Sequence, residues 1–330
     1  MKAVQFDRHG VPADVVHCVE RPAPGAPDGD QVLVRVLACP INPADLLILE
    51  GRYPGPEQLP AGGGIEGIGE VLAAGPEVAG LAPGDRVMLL GRANWVEQLL
   101  CPASAAIKIS GELDPRQAAM MKVNPATALL MLRDYVDLAP GDWVIQNAAN
   151  SAVGRHVIRM ARAAGVKTVN VVRRQALVED LLGEGADLVV IDGDDLGVRV
   201  RAEIGEAPLP LALDAVGGIA TQQLADCLSN GGTVVNYGFL SGEACRITPD
   251  QTIIHDIRLR GFWLAGFFRR GDMDRLTQVY REIADHLRDG TLAAPIEAVY
   301  PLEQVKEAVA HAHRDSRDGK ILLLPGGPLD

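Results

Sequence analysis

Between residues 142 and 264 the chain alternates apolar, strand-length runs with helix-length stretches, and this alternation constrains its fold more than any other feature. DWVIQNA (142–148) is an apolar run, and GRHVIRMARAAG (154–165) carries apolar side chains at helical spacing and ends in Gly. KTVNVVR (167–173), ADLVVID (186–192), LPLALDAVGG (209–218), GGTVVNYGF (231–239) and RLRGFWL (258–264) are further strand-like runs. ALVEDLLGEG and a stretch ending at Leu228 supply helices between them. A parallel strand pair needs a long crossover, usually a helix, so the pattern predicts a doubly wound parallel sheet.

The first hundred residues have a different texture. QVLVRVLACPIN (31–42) alternates and breaks at Pro40, and GIGEVLAAG (67–75), DRVMLL (85–90) and WVEQLLCP (95–102) follow as short strands among Gly and Pro turns. A helix is expected from DPRQAAMM, with Asp114 as cap and Pro115 at its first position. After the alternating stretch come a helix (DRLTQVYREIADHLRDG), a short strand, a helix (LEQVKEAVAHAHRD) and a last strand (GKILLLP). A β-rich domain is thus interrupted by a nucleotide-binding one, which suits a length of 330 residues. The cleft between two such domains is the natural active site.

Composition removes several function classes. With 31 basic against 43 acidic residues the net charge is -12, which disfavours nucleic acid and anionic membrane as partners. No run approaches the ~20 apolar residues that a membrane span requires. Cys18, Cys39, Cys101, Cys227 and Cys245 are scattered, with no CxxC pair, which argues against a disulfide framework or a Cys-rich zinc site. MKAVQFDRHG has neither an apolar h-region nor Arg/Ser-rich transit character, so a cytoplasmic protein is expected, with a processed organellar form as the alternative.

Residues 149–154, Ala-Asn-Ser-Ala-Val-Gly, stand at the turn where a dinucleotide fingerprint GxGxxG would fall. Gly154 keeps the third glycine's role in close helix–strand packing, and Ser151 replaces the second, where backbone approaches pyrophosphate. An ordinary βα turn is the plain alternative. The placement between an apolar strand and an amphipathic helix favours phosphate, because N–H groups at a helix start attract it. The next strand ends in Arg173-Arg174, with no acid before Glu179. An NAD site offers Asp or Glu near here for the ribose hydroxyls, whereas guanidinium suits a 2′-phosphate. NADPH is therefore the expected cofactor, and a solvated arginine pair is the alternative.

Two-domain enzymes of this layout often hold a catalytic zinc, but its ligands are missing. ACPINPAD (38–45) has Asn42-Pro43 where Cys and His would be expected, and Gly64-Ile65-Glu66 has Ile in place of a His. The pair His311-x-His313 sits on a late polar helix, where i and i+2 do not share a face. No metal is expected. Without a Lewis acid, alcohol oxidation is disfavoured, whereas hydride addition to a polarised C=C bond remains accessible.

Several segments then carry a resemblance: INPADLLILEGRYPGPEQLPAGGGIEGIGEV (41–71), VNPATAL (123–129), GDWVIQNAANSAVG (141–154), NVVRR (170–174), NYGF (236–239) and LRGFWL (259–264). Together they resemble the medium-chain dehydrogenase/reductase superfamily, in its zinc-free branch of mitochondrial-type 2-enoyl thioester (enoyl-ACP or enoyl-CoA) reductases. INPADL alone is shared with quinone reductases. The resemblance implies an α/β chain with a GroES-like β-rich catalytic domain (1–117 and 267–330) and a Rossmann doubly wound parallel-sheet NADPH-binding domain (118–266). It implies reduction of a trans-2-enoyl thioester, CoA- or ACP-linked, by a homodimer.

By position, Tyr53 matches the active-site tyrosine, Asn124 a residue near the nicotinamide, and Thr127 a cofactor contact. Asn150, Ser151, Ala152, Val153 and Gly154 match the pyrophosphate turn, and Arg173, Arg174 and Gln175 the 2′-phosphate pocket. Tyr237, Gly238, Phe239 and Leu240 match a loop over the cofactor, Phe262, Trp263 and Leu264 a cofactor-lining strand, and Lys320 a late contact. Gln175 stands where Arg is expected, Ala152 where Gly is common, and Gly64-Ile65 where relatives carry a polar residue. Phe267 and Phe268 suit an acyl tunnel or an interdomain seam equally. The competing readings are a zinc-independent NADPH quinone or alkenal reductase and a nucleotide-binding protein without turnover.

Overall fold

A computed structural model describes residues 1–109, 111–314 and 317–329. The chain forms two compact units, Met1–Val123 with Asp274–Asp330, and Asn124–Met273.

The second unit is built on a six-stranded parallel sheet. Its spatial order is Leu188–Ile191, Lys167–Val172, Trp143–Gln146, Leu211–Asp214, Thr233–Asn236 and Arg258–Gly261. The chain starts mid-sheet at Trp143–Gln146, winds outward on one side, then returns and winds outward on the other. Strands covered on both faces need apolar side chains in both directions. Accordingly Val144, Ile145, Val169, Val171, Leu211, Ala212, Leu213, Val234 and Val235 are all buried. The helix Ala152–Ala163 packs Val157, Ile158, Met160 and Ala161 inward. It ends before Gly165, whose φ of 72° is a conformation that favours glycine.

One expected strand is shorter than its sequence suggests. RLRGFWL forms ladder pairs only from Arg258 to Gly261, because the neighbouring strand ends at Asn236, opposite Gly261. Phe262 lies beyond the ladder, and Trp263 precedes a short helix, Leu264–Arg269. The three residues are therefore not a lining strand.

The first unit is β-rich, with Gln31–Pro40 at its centre. This strand pairs antiparallel with Ile68–Ala74 and with Gln98–Pro102. Val32, Val34 and Val36 point into its core, while Arg35 points out. The last strand, Lys320–Leu323, pairs antiparallel with the end of Gln31–Pro40 and parallel with Ile296–Tyr300. A separate sheet joins Val16–Glu20, Lys2–Phe6 and Ala61–Gly62. Pro43 opens a short helix, Pro43–Leu49. Its start is tied down by Asp45, which accepts the Asn42 N–H at 2.8 Å and the Ile65 N–H at 2.9 Å. Among the described residues no helix is long and apolar enough to cross a membrane.

Candidate functional site

In an open parallel sheet, ligands bind beyond the strand carboxyl ends where the winding direction reverses. Here that point lies between Trp143–Gln146 and Leu211–Asp214, and the turn 147–151 leaves from it. Ser151 caps the following helix, its Oγ accepting the Gly154 N–H at 3.1 Å. A Cβ on Gly154 would lie 2.4 Å from the Ala149 carbonyl oxygen, so only glycine permits this packing. Gln146 holds the same segment from below, donating to the Gly154 carbonyl at 2.9 Å and to Asn170 Oδ1 at 2.7 Å. Ala148 takes a φ of 47°, in the left-handed region.

Asp214, at the end of the adjacent strand, is fully buried and acts as a hub. Its carboxylate accepts from Asn147 Nδ2 at 2.7 Å, Thr221 Oγ1 at 2.6 Å, Asn236 Nδ2 at 3.1 Å and the N–H groups of Val216 and Gly217. It thereby fixes the loops around the reversal point. Sequence reasoning missed this hub, because its members come from four separate segments that only the sheet brings together.

The residues singled out in this unit are distributed as follows. Arg173 and Arg174 are exposed just past the strand Lys167–Val172, and Gln175 opens a single helical turn, Gln175–Leu177. Tyr237 follows Thr233–Asn236, then Gly238, where a Cβ would lie 2.6 Å from the Ala215 carbonyl oxygen. Phe239 and Leu240 are exposed. The Tyr237 hydroxyl is shielded from solvent and makes no hydrogen bond of ordinary geometry. Burial pushes its pKa up, and the adjacent Ser151 offsets part of that shift. Asn124 and Thr127 are buried in the first turns of the helix Asn124–Arg133. Phe262 meets Tyr135 edge-on, the Arg269 guanidinium sits 4.6 Å from the centroid of the Trp263 ring, and Phe267 packs edge-on against Phe268.

This geometry fits a dinucleotide. A helix start with free N–H groups, a buried unpaired hydroxyl beside it and two cations past the next strand would match pyrophosphate and a 2′-phosphate.

The β-rich unit holds a buried ionic network. Asn42 Nδ2 donates to Glu66 Oε1 at 2.6 Å, and Lys320 Nζ donates to Asn42 Oδ1 at 2.5 Å. Glu66 Oε2 also accepts the Val123 N–H at 2.9 Å. Lys122 donates to the carbonyls of Ile65, Leu90 (2.8 Å) and Gly91 (3.1 Å). Burial raises the Asp45 carboxyl to about 7 and lowers both Lys122 and Lys320 to about 8. Glu66 is raised by burial, with Lys320 opposing. Asn42 and Ile65 are the two positions where a zinc enzyme of this layout would present ligands. The Asn42 amide is committed to Glu66 and Lys320, and Ile65 offers only hydrocarbon. Among the described residues no group of three or more His, Cys, Asp or Glu is placed to hold a metal. His311 instead bonds to Tyr300 at 2.8 Å and Glu297 at 2.7 Å.

Tyr53 is half-buried against the apolar core of this unit. Nearby residues line a cavity of about 310 Å³ that includes Ile48, Gly55, Gly64, Ile65 and Trp95.

Fold and site together define a two-domain, dinucleotide-dependent oxidoreductase. Residues 28–111 match the family described as Alcohol dehydrogenase GroES-like domain, and 152–282 that described as Zinc-binding dehydrogenase. The human mitochondrial enoyl-[acyl-carrier-protein] reductase is 36% identical over 330 residues, spanning 98% of this chain and 88% of that enzyme. The solved Etr1p complex with NADP and crotonyl-CoA is 26% identical with a TM-score of 0.87, covering 98% of this chain and 99% of that one. Escherichia coli quinone oxidoreductase bound to NADPH is 25% identical with a TM-score of 0.89, covering 98% and 100%. The chain belongs to the medium-chain dehydrogenase/reductase superfamily, in its zinc-free, mitochondrial-type enoyl thioester reductase branch. The expected fold, a GroES-like domain with a Rossmann-type parallel sheet, is the one found.

The relatives correct one expectation. The opening residues suggest a cytoplasmic protein, whereas the related reductases from rat, human and Arabidopsis thaliana are named as mitochondrial. The composition of ten residues says nothing about compartment, so the inference from MKAVQFDRHG does not stand.

Proposed function

We propose that this chain reduces the C2=C3 bond of a trans-2-enoyl thioester, using NADPH and no metal. The observation that carries this reading is the committed Asn42 amide beside Ile65, which leaves the metal position of the layout without ligands. Relatives named enoyl-[acyl-carrier-protein] reductase and the Etr1p complex with NADP and crotonyl-CoA support it.

In this reading the Asn150–Gly154 turn holds pyrophosphate on backbone N–H groups, and the buried Tyr237 hydroxyl gains an acceptor there. Arg173 and Arg174 take the 2′-phosphate, with Gln175 beside them. Asn124, Thr127, the loop 237–240 and residues 262–264 wall the nicotinamide end, and Lys320 contributes a late contact. NADPH held there would supply hydride for C3. Tyr53 delivers a proton to C2, so that the substrate gains two hydrogens and the thioester stays intact. A phenol, with an ordinary pKa of about 10, is a competent donor to an enolate-like carbon. The mostly apolar cavity near Tyr53 suits an acyl chain. The protein works as a homodimer; Etr1p has been solved as a heterodimer with Etr2p.

The second reading, an NADPH quinone or alkenal reductase, is favoured by the likeness to the Escherichia coli quinone oxidoreductase. NADPH oxidation over a panel of enoyl-CoAs, an enoyl-ACP, quinones and enals tests both. Turnover of enoyl thioesters well above the others is the outcome foreseen, and turnover of quinones alone contradicts it.

A further inference from the structure

The phosphate turn and the Arg173-Arg174 segment come from different parts of the chain, and one buried side chain connects them. Arg155 follows Gly154 and is only 8% exposed. Its Nε donates back to the Asn150 carbonyl, within the phosphate turn, at 3.2 Å. Its Nη2 donates to Asp180 Oδ2 at 2.5 Å, and its Nη1 pairs with Glu184. Asp180 lies in the helix Val178–Gly183 and Glu184 caps its end. That helix begins directly after the turn containing Gln175, so it continues the segment started by Arg173 and Arg174. Arg159 shares Glu184 at 3.2 Å.

Two features set Arg155 apart from an ordinary surface ion pair. The guanidinium has three partners on two structural elements, which fixes its geometry as a loose exposed pair does not. It also neutralises Asp180 and Glu184, which lie in and at the end of the helix that continues from the strand-end arginines.

We propose that Arg155 is a positioning residue that sets cofactor preference. It ties the phosphate turn to the helix behind Arg173-Arg174, and it cancels two negative charges that would repel a 2′-phosphate. The proposal rests on the NADPH reading above. Without Arg155, Asp180 and Glu184 lose a counter-charge in the helix that continues from Arg173 and Arg174, and Glu184 keeps Arg159. NADH lacks that phosphate and should be affected less.

The experiment titrates NADPH and NADH into the full-length protein, following nicotinamide fluorescence without substrate. Four proteins are compared: wild type, R155Q, R155K and the triple variant R155Q/D180N/E184Q. R155Q should raise the NADPH Kd about tenfold relative to that for NADH, equivalent to ~1.4 kcal/mol. R155K, which keeps the charge, should retain much of the preference, and the triple variant should recover it. With saturating NADPH, kcat of R155Q should stay within about twofold of wild type, since uniform binding loss alters KM first. An equal loss for both cofactors, or an unchanged ratio, overturns the proposal. So does failure of the triple variant to recover. If R155Q does not fold, D180N/E184Q alone decides: a preserved or increased NADPH preference supports the proposal, and a fall overturns it. A wild type that binds NADH as well as NADPH would instead sink the cofactor reading itself.

Discussion

The phosphate turn and the Asn42 network solve opposite problems. In the proposed reading the turn would bind charge with backbone: Ser151 and Gly154 shape it, and N–H groups lie at the start of the helix Ala152–Ala163. The Asn42 network buries charge with side chains, balancing Asp45 and Glu66 against Lys122 and Lys320 around an amide. A site built from backbone would tolerate substitution at the motif, so AxSxxG is compatible with the role that GxGxxG usually has. Networks of buried side chains tolerate little, because removing one member leaves another charge unpaired. The two regions should therefore fail differently when altered.

The largest effect is expected at neither region but at Tyr53. Tyr53→Phe should lower kcat by at least ~100-fold, the usual range for a lost general acid, and leave the NADPH Kd within about twofold. Steady-state rates beside a fluorescence titration check this. Near-normal turnover would remove Tyr53 from the mechanism.

Next comes the buried network. Glu66→Gln should destabilise the protein by about 3–5 kcal/mol, since Lys320 and Lys122 lose a counter-charge inside the core. Denaturant unfolding measures it. A change below about 1 kcal/mol would mean that the network is no more demanding than the phosphate turn, and the contrast would collapse.

At the turn, R173A/R174A should raise the KM for NADPH by roughly 10- to 100-fold, from the loss of charge-assisted bonds of ~1.5–3 kcal/mol. The KM for NADH should hardly move. Stability should be unaffected, because both arginines are exposed. A large loss of stability would contradict the separation drawn above.

The network also carries a pH signature. Asp45 is raised from 3.8 to about 7, so the folded state binds the extra proton between those values. Its contribution to stability therefore falls as pH rises through that window. Lys122 and Lys320 are lowered from 10.5 to about 8, so the unfolded state binds more protons between those values and stability rises with pH there. The network should stabilise least near pH 7–8. Asp45→Asn should flatten the acid-side slope, which unfolding curves from pH 5 to 9 would reveal. The smallest effect is expected at Ala148→Gly, a gain of up to about 1 kcal/mol from relief of the positive φ.

How much of this was legible in the sequence also divides along the same line. The Rossmann sheet follows from periodicity, because strands buried on both faces must be apolar throughout. Asp114 caps its helix as read, accepting the Arg116 N–H at 3.0 Å. The strand–turn–helix around Asn150–Gly154 is contiguous, so its placement is legible despite two lost glycines. By contrast, Asn42, Glu66, Lys122 and Lys320 are far apart in the chain, and sequence could register only that zinc ligands were absent. The Asp214 hub was invisible for the same reason. RLRGFWL misled because apolar character marks burial and does not report where a neighbouring strand stops.

Every residue role assigned above depends on hydride delivery to a C=C bond. The direct measurement is reduction of crotonyl-CoA with NADPH deuterated at the transferable position, with the product examined by mass spectrometry and NMR. The account predicts butyryl-CoA carrying the deuterium at C3 and a solvent-derived proton at C2. Deuterium at C2, or no butyryl-CoA from an enzyme that consumes NADPH with quinones, would contradict it.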